Sequence, residues 1–247
     1  MSFADAFLNQ APEGYHLPKP LRQAFDFLEA RGHGEVFAEP GELATSPRPS
    51  SDLSSGGDEH SAGFLAVSTD PSVGTVFYTD FDLSGYLEAE SPEADKVVSI
   101  ADPDGGGARI VAWAGPEGTS EYRYCLLGAE GEGPFLVANN TIDLLRLIAV
   151  GYAWIGEDTL GRTPAEAHAD DRAGTAEFRF WVEETFGEKV PDYWPAAQLD
   201  EGLASFLVEL RGGDDEGLYL DGLVPEPGDE DVAADAGDAA GQVGPEE

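Results

Sequence analysis

The most apolar stretch of the chain runs from Pro134 to Tyr152, and its period changes partway along. The short apolar run Phe135–Ala138 includes a β-branched residue, which is typical of a buried strand. Asn140 follows as a helix N-cap, and Asp143 is placed to reach back to the free amides of the first turn. Gly151 is expected to close this helix in a left-handed conformation. The apolar residues between cap and glycine recur at helical spacing: Ile142, Leu144, Leu145, Leu147, Ile148 and Ala149.

Three further stretches have helical periodicity. Leu17–Arg31 carries prolines near its start and is followed by Gly32, which predicts a helix with ordinary boundaries. Residues 175–186 place apolar side chains at a spacing of four and are followed by Gly187. Leu199–Leu210 places leucines and a phenylalanine on one face, so we expect it to form the last helix.

Short apolar or alternating runs between turn residues predict the strands. Phe64–Ser68 and Val73–Tyr78 flank an Asp-Pro-Ser turn, and Val97–Ile100 is a further strand. Ala108–Ala114 and Glu121–Leu127 alternate across a glycine- and proline-containing loop and predict a hairpin. Because consecutive strands are joined by turns, an antiparallel meander is favoured. The chain is therefore predicted to have an α+β fold, in which a mostly antiparallel sheet packs with helices.

Composition divides the chain into one predicted domain and its flanking segments. Residues 1–16 are expected to be a loose N-terminal lead-in, and residues 17–212 a single α+β domain. The range 39–63 is rich in Pro, Ser, Gly and Asp, which predicts a flexible loop inserted in that domain. The range 213–247 is acidic and nearly without large apolar side chains, so we expect a largely disordered tail.

The charge balance narrows the choice of partner. The 247 residues include 49 acidic and 13 basic side chains, which gives a formal net charge of −36. Such a surface repels nucleic-acid phosphates and anionic membranes, so direct binding to either is not expected. It attracts a basic protein and speeds its encounter. The alternative source of this charge is the bias of a halophilic or high-GC proteome, and the sequence leaves both open.

Cysteine usage and apolar runs point to a cytoplasmic protein. Cys125 is the only cysteine, so no disulfide can form within the chain. No apolar run approaches the roughly 20 residues that span a bilayer. The first residues contain an acid and no basic region, which argues against a secretory signal.

Candidate catalytic and metal-binding motifs are weak throughout. The four histidines stand apart, and even His168, which precedes Asp170 and Asp171, is expected to lie in a solvated loop. The Asp102-Pro-Asp-Gly-Gly-Gly run lacks the remaining ligands of a calcium loop and predicts a turn. Cys125 is expected to be a small buried residue and not a nucleophile. We therefore predict no catalytic, cofactor-binding or metal-binding residues, and no enzyme.

The burial of the four tryptophans is predicted from their positions in the helices and strands. Trp113 and Trp181 lie within apolar patterns and are expected in the core. Trp154 and Trp194 lie at element ends, where partial burial is expected and a partner could use them.

The order of these elements resembles a known superfamily. The strand, Asn cap, Leu-rich helix and Gly-Tyr of Phe135–Tyr152, followed by Phe178–Gly187 and Pro191, resemble the C-terminal half of SUKH-type domains. Leu17–Gly32 resembles the entry helix of that superfamily, and the resemblance covers roughly residues 15–190. The Asn-Gly-Gly that often follows the entry helix in the family is replaced here by Gly32-His33-Gly34.

The resemblance implies a non-enzymatic α+β domain. SUKH-type domains include yeast cell-wall assembly regulators and bacterial immunity proteins, and the latter bind and neutralise toxin domains, often nucleases, from neighbouring cells. A basic toxin domain would suit the acidic chain, and it would meet a sheet face or a cleft edged by acids and aromatics. The oligomeric state is left open.

Two alternative functions stay open at this point. One is an acidic regulatory or assembly protein, such as a phage-borne protein or a nucleic-acid mimic, that uses its tail. The other is an enzyme with an unrecognised carboxylate or metal site. A neighbouring toxin gene would favour the immunity hypothesis. Loss of partner binding on deletion of 225–247 would favour the regulatory or assembly protein. Bound metal or catalytic turnover would favour the enzyme.

Overall fold

The computed structural model describes residues 1–36, 63–79, 81, 83, 95–115, 121–129 and 132–210. The helices are α1 (Phe3–Gln10), α2 (Lys19–Ala30), α3 (Thr141–Ile148), α4 (Ala176–Phe186) and α5 (Glu201–Leu210). The strands are β1 (Gly34–Val36), β2 (Gly63–Ala66), β3 (Val76–Tyr78), β4 (Val97–Asp102), β5 (Arg109–Trp113), β6 (Arg123–Leu127), β7 (Phe135–Ala138) and β8 (Gln198–Leu199).

The strands form one sheet, in which they follow one another in chain order from β1 to β8. Every neighbouring pair is antiparallel. The predicted hairpin is β5–β6, whose register runs from Arg109 opposite Leu127 to Trp113 opposite Arg123. The α+β class with an antiparallel sheet and packed helices is therefore confirmed.

The two faces of the sheet bury separate apolar clusters. Because successive strand residues point to opposite faces, Ile110 and Ala112 of β5 join one cluster, whereas Val111 and Trp113 join the other. The larger cluster includes the apolar faces of α1, α2, α3 and α4. The smaller cluster is closed by Leu83 and by α5. The sheet is thus sandwiched, with most of the helical mass on one side.

The N-terminal residues 1–16 are not the loose lead-in that the sequence predicted. The side chain of Ser2 accepts a hydrogen bond from a first-turn amide and begins α1. Phe3 and Phe7 are fully buried and contact Phe25 of α2, with ring centroids 4.9 and 5.2 Å apart. The serine cap and the four-residue spacing of the phenylalanines signalled this helix in the sequence.

The helix at the centre of the apolar stretch forms as predicted, with one difference at its cap. The side chain of Asn140 accepts a hydrogen bond of 2.9 Å from the amide of Asp143. The carboxylate of Asp143 receives Nδ2 of Asn140 and a guanidinium nitrogen of Arg146, not the backbone amides of the first turn. Gly151 has a φ of +89°, as its predicted left-handed conformation requires.

Parts of the predicted organisation lie outside the described residues. They include the loop predicted over 39–63, except its last residue, Gly63, which begins β2, and the tail predicted over 213–247. The last predicted helix starts later than expected, because Leu199 pairs with Phe135 in the sheet. In the described part of the chain, no helix is long and apolar enough to cross a membrane.

Candidate interaction surface

In the described part of the chain, helices α1–α4 pack on one face of the sheet, and α5 covers the other face over β4–β7. A partner cannot meet the sheet where these helices cover it, and the predicted contact through a sheet face or a cleft edged by acids and aromatics stays a prediction. The outer sides of the helices and their connections are further surfaces for recognition.

The large exposed apolar side chains point to α4 and the segment after it. Phe180 of α4 is 66% exposed and Tyr193 is 51% exposed. Among the described residues, the other large exposed apolar side chain is Met1. Aromatic rings left in water next to a buried helix face are typical of contact sites.

The inner side of α4 holds the helix in place. Phe178 and Val182 are buried in the larger cluster. Trp181 is half-buried and stacks on Phe27 of α2, with ring centroids 4.8 Å apart and planes at 18°. Phe186 meets the edge of Trp181 at 5.6 Å. These contacts leave Phe180 on the outer side of a well-anchored helix.

The segment after α4 folds back and is held by hydrogen bonds from side chains to backbone carbonyls. Gly187 ends the helix with a φ of +69°. The side chain of Arg179 donates to the carbonyl of Val190, and Arg146 donates to that of Lys189. Trp194 donates its indole N–H to the carbonyl of Val137 at 2.7 Å. Residues 187–194 therefore have a defined path that presents Tyr193 to solvent.

Acidic side chains dominate the solvent side of α4 and the following segment, which together we call the α4 surface (residues 176–193). One of these acids is already engaged within the chain. Glu177 forms an ion pair with Arg31 of α2, and the guanidinium of Arg31 lies 5.3 Å from the ring centre of Phe27. The exposed charged residues of this surface are Glu177, Glu184, Glu188, Lys189 and Asp192.

The neighbouring glutamates of α4 differ in their surroundings. Glu183 accepts the amide of Val190 at 3.0 Å and lies 3.9 Å from Arg179, so it supports the fold. Glu184 is exposed, and among the residues that the structure describes no partner holds its carboxylate. This difference cannot be seen in the sequence, because it depends on how the chain returns after Gly187.

The histidines and the aspartate-rich turn do not assemble a site in the described residues. His168 is exposed with a φ of +56°, and His60 lies outside the described ranges. Across the described residues, no group of three or more His, Cys, Asp or Glu side chains could hold a metal ion. The predicted turn at Asp102 is confirmed, since its Oδ1 accepts the amides of Asp104 and Gly105.

Cys125 is buried in β6, as predicted. Burial raises the pKa of its thiol well above the ordinary value, and the nearby charge of Asp200 adds to this shift. A thiol held in its neutral form is a poor nucleophile. Cys125 therefore has the properties of a core residue.

The tryptophans are placed close to expectation. Trp113 is 1% exposed in the smaller cluster, which confirms the core prediction. Trp181 packs against the larger cluster but is only half-buried. Trp154 and Trp194 are half-buried, as predicted for element ends.

Two adjacent aspartates near His168 have opposite electrostatic surroundings. Arg172 donates to both oxygens of Asp170, at 2.9 and 2.6 Å, and these bonds lower the pKa of Asp170. Burial raises the pKa of Asp171, and the negative charges of Asp70 and Asp170 add to the effect. Replacing each aspartate in turn therefore tests whether the two carboxyls have opposite pKa shifts.

We expect Asp171→Asn and Asp170→Asn to change the pH dependence of stability in opposite directions. With a raised pKa, folded Asp171 binds its proton more tightly than the unfolded chain, so its contribution to stability falls as pH rises above about 3.8. With a lowered pKa, Asp170 contributes stability above about pH 3.8 that is lost as pH falls through its folded pKa. Relative to the wild type, the Asp171 variant should gain stability with rising pH, and the Asp170 variant should lose it.

Urea unfolding at several values between about pH 2.5 and pH 6.5 measures both trends, because the change at Asp170 falls below about pH 3.8. Each variant serves as the control for the other, because they remove one charge at adjacent positions. Parallel pH profiles for the two variants would contradict the electrostatic assignment.

Comparisons with protein-family models, with curated proteins and with solved structures find no match for this chain. The resemblance to SUKH-type domains therefore stays a proposal, and the argument for function depends on the surface described above.

Proposed function

We propose that this protein is a cytoplasmic, non-enzymatic binding module, similar to SUKH-type immunity proteins, that neutralises a basic toxin domain. The observation that carries the proposal is the α4 surface, where the exposed ring of Phe180 stands among acidic side chains. It belongs to a chain with a net charge of −36. An exposed aromatic ring surrounded by side chains of one charge sign is a common arrangement at protein interfaces.

Electrostatics and apolar contact have separate roles in this proposal. The acidic field attracts a basic partner over a distance and speeds the encounter. The ring of Phe180 then supplies apolar area that is removed from water on contact. A nuclease-type toxin suits this arrangement, because a surface that binds nucleic acid is rich in Lys and Arg.

We expect the tagged full chain to capture a basic protein from the cells that encode this chain. In the purified complex, the toxin activity of that partner should be lost. Raising the salt concentration from about 50 mM to about 500 mM should slow association, because it screens the acidic field. Pull-down with mass spectrometry identifies the partner, and a nuclease or viability assay with purified proteins measures neutralisation.

Phe180→Ala is the informative variant, and Asn9→Ala, at an exposed position of α1 outside the α4 surface, is its control. Phe180→Ala should weaken binding by roughly 1–2 kcal/mol, as expected for an aromatic contact residue. Recovery of no basic partner, or full toxin activity in the complex, would argue against the immunity function.

A further inference from the structure

Helix geometry places an acidic side chain between the aromatic rings of α4. With about 100° per residue, Glu184 lies about 40° and Trp181 about 100° around the helix from Phe180. Glu184 follows Phe180 by four positions and Trp181 by three, so their side chains are neighbours on the helix surface. Helical side chains lean toward the N-terminus, which carries the carboxylate of Glu184 back over the turn that holds Phe180.

The same surface already binds one guanidinium from within the chain. Arg31 pairs with Glu177 while its guanidinium lies over Phe27, at 5.3 Å from the ring centre. Glu184 stands two turns further along α4 than Glu177, or about 10 Å along the helix axis. The first position combines a carboxylate of α4 with a ring of α2, whereas Glu184 and Phe180 would combine a carboxylate and a ring of α4 itself.

The second position offers a carboxylate and a ring that the fold does not use. Trp181 is occupied by its contacts with Phe27, Phe178 and Phe186. Phe180 is 66% exposed, and Glu184 has no partner in the described part of the chain. Glu188 follows in the segment after the helix and adds to the negative potential there.

We propose that Glu184 and Phe180 form a docking position for an arginine side chain of a basic partner. The guanidinium would pair with the carboxylate of Glu184 and pack its plane against the ring of Phe180. Arginine fits better than lysine, because its planar group can pair through two N–H donors and stack on an aromatic face at once. This inference rests on the proposed function, since it names the chemistry by which a basic partner is recognised.

The test is an NMR titration of the full chain with a hexa-arginine peptide, with hexa-lysine for comparison. We expect the largest amide shifts at residues 177–188 and an affinity there about threefold or more higher for hexa-arginine. Glu184→Gln and Phe180→Ala should each weaken binding at this position by about fivefold. Both residues are exposed, so circular dichroism should show an unchanged fold.

Glu13→Gln is the matched control, because it removes the same charge from an exposed glutamate. Glu13 precedes the start of α2, whereas α4 contacts the end of α2 at Phe27 and Arg31. Glu13→Gln should change the affinity less than about twofold. Shifts spread evenly over the acidic surface, or equal effects of the Glu184 and Glu13 variants, would overturn the proposal.

The two proposals fail in different ways. If a basic toxin is captured and neutralised equally well by wild type and by Glu184→Gln, the docking position is wrong and the immunity function stands. If hexa-arginine binds at Glu184 but no basic partner is recovered, the docking position stands and the immunity function is lost.

Discussion

Phe7→Ala is expected to lower the free energy of unfolding by about 3–5 kcal/mol, the range for removing a fully buried phenylalanine. Phe7 is 0% exposed and contacts the rings of Phe3, Tyr15, Phe25 and Phe81. The cavity left by its removal lies between α1 and α2, where helix packing leaves little room to collapse. A loose lead-in would instead give no measurable change.

Urea unfolding followed by circular dichroism measures this loss, and Asn9→Ala is the control on the same helix. Asn9 is exposed, so its replacement should alter stability by less than about 0.5 kcal/mol. Equal stabilities for the two variants would show that α1 does not belong to the core.

Asp200→Ala is expected to lower the free energy of unfolding by about 2–3 kcal/mol, through loss of a helix cap and of a partly buried ion pair. Oδ1 of Asp200 accepts the amide of Leu203 at 2.9 Å and so caps α5. Oδ2 lies 3.0 Å from a guanidinium nitrogen of Arg123, which itself stacks on Trp113 at 4.7 Å. The side chain of Asp200 is only 3% exposed, whereas Arg123 is 41% exposed, and this moderates the ion-pair contribution.

Asp200→Asn separates the two contributions, because asparagine caps a helix about as well as aspartate but carries no charge. Asp200→Asn should lower the free energy of unfolding by about 1 kcal/mol. Amide hydrogen exchange at Leu203 should become much faster in Asp200→Ala than in Asp200→Asn. Glu201→Gln, at the exposed neighbouring position, should stay within about 0.5 kcal/mol of wild type. Normal Leu203 exchange in Asp200→Ala would contradict the cap.

Elements whose signals are local were predicted well from the sequence. The caps and apolar spacing around Asn140, and the glycine after Phe186, placed α3 and α4 within a residue or two. The β5–β6 hairpin followed from alternation across a turn. These signals depend on residues a few positions apart, so they act before any tertiary contact forms.

The misses have a common physical origin. The cap and phenylalanine spacing of α1 are a weak signal, because an eight-residue helix is marginal alone and is stabilised only by packing on Phe25 and its neighbours. The cover of α5 over β4–β7 depends on contacts between residues far apart in the chain, such as Asp200 with Arg123, so the sequence pattern does not show it. Candidate functional residues among many acids could not be ranked by spacing.

By itself, the sequence determined the α+β class, the antiparallel order of strands, the acidic field and the core around Pro134–Tyr152, since periodicity, turns and net charge are properties of the chain. Only the tertiary structure decided which acids are engaged. Arg31 reaches Glu177 from 146 positions away, and Glu183 is used by the returning chain while its neighbour Glu184 is left to solvent. Pairing depends on which distant side chains the packing brings together, and the α4 surface is the result of that packing.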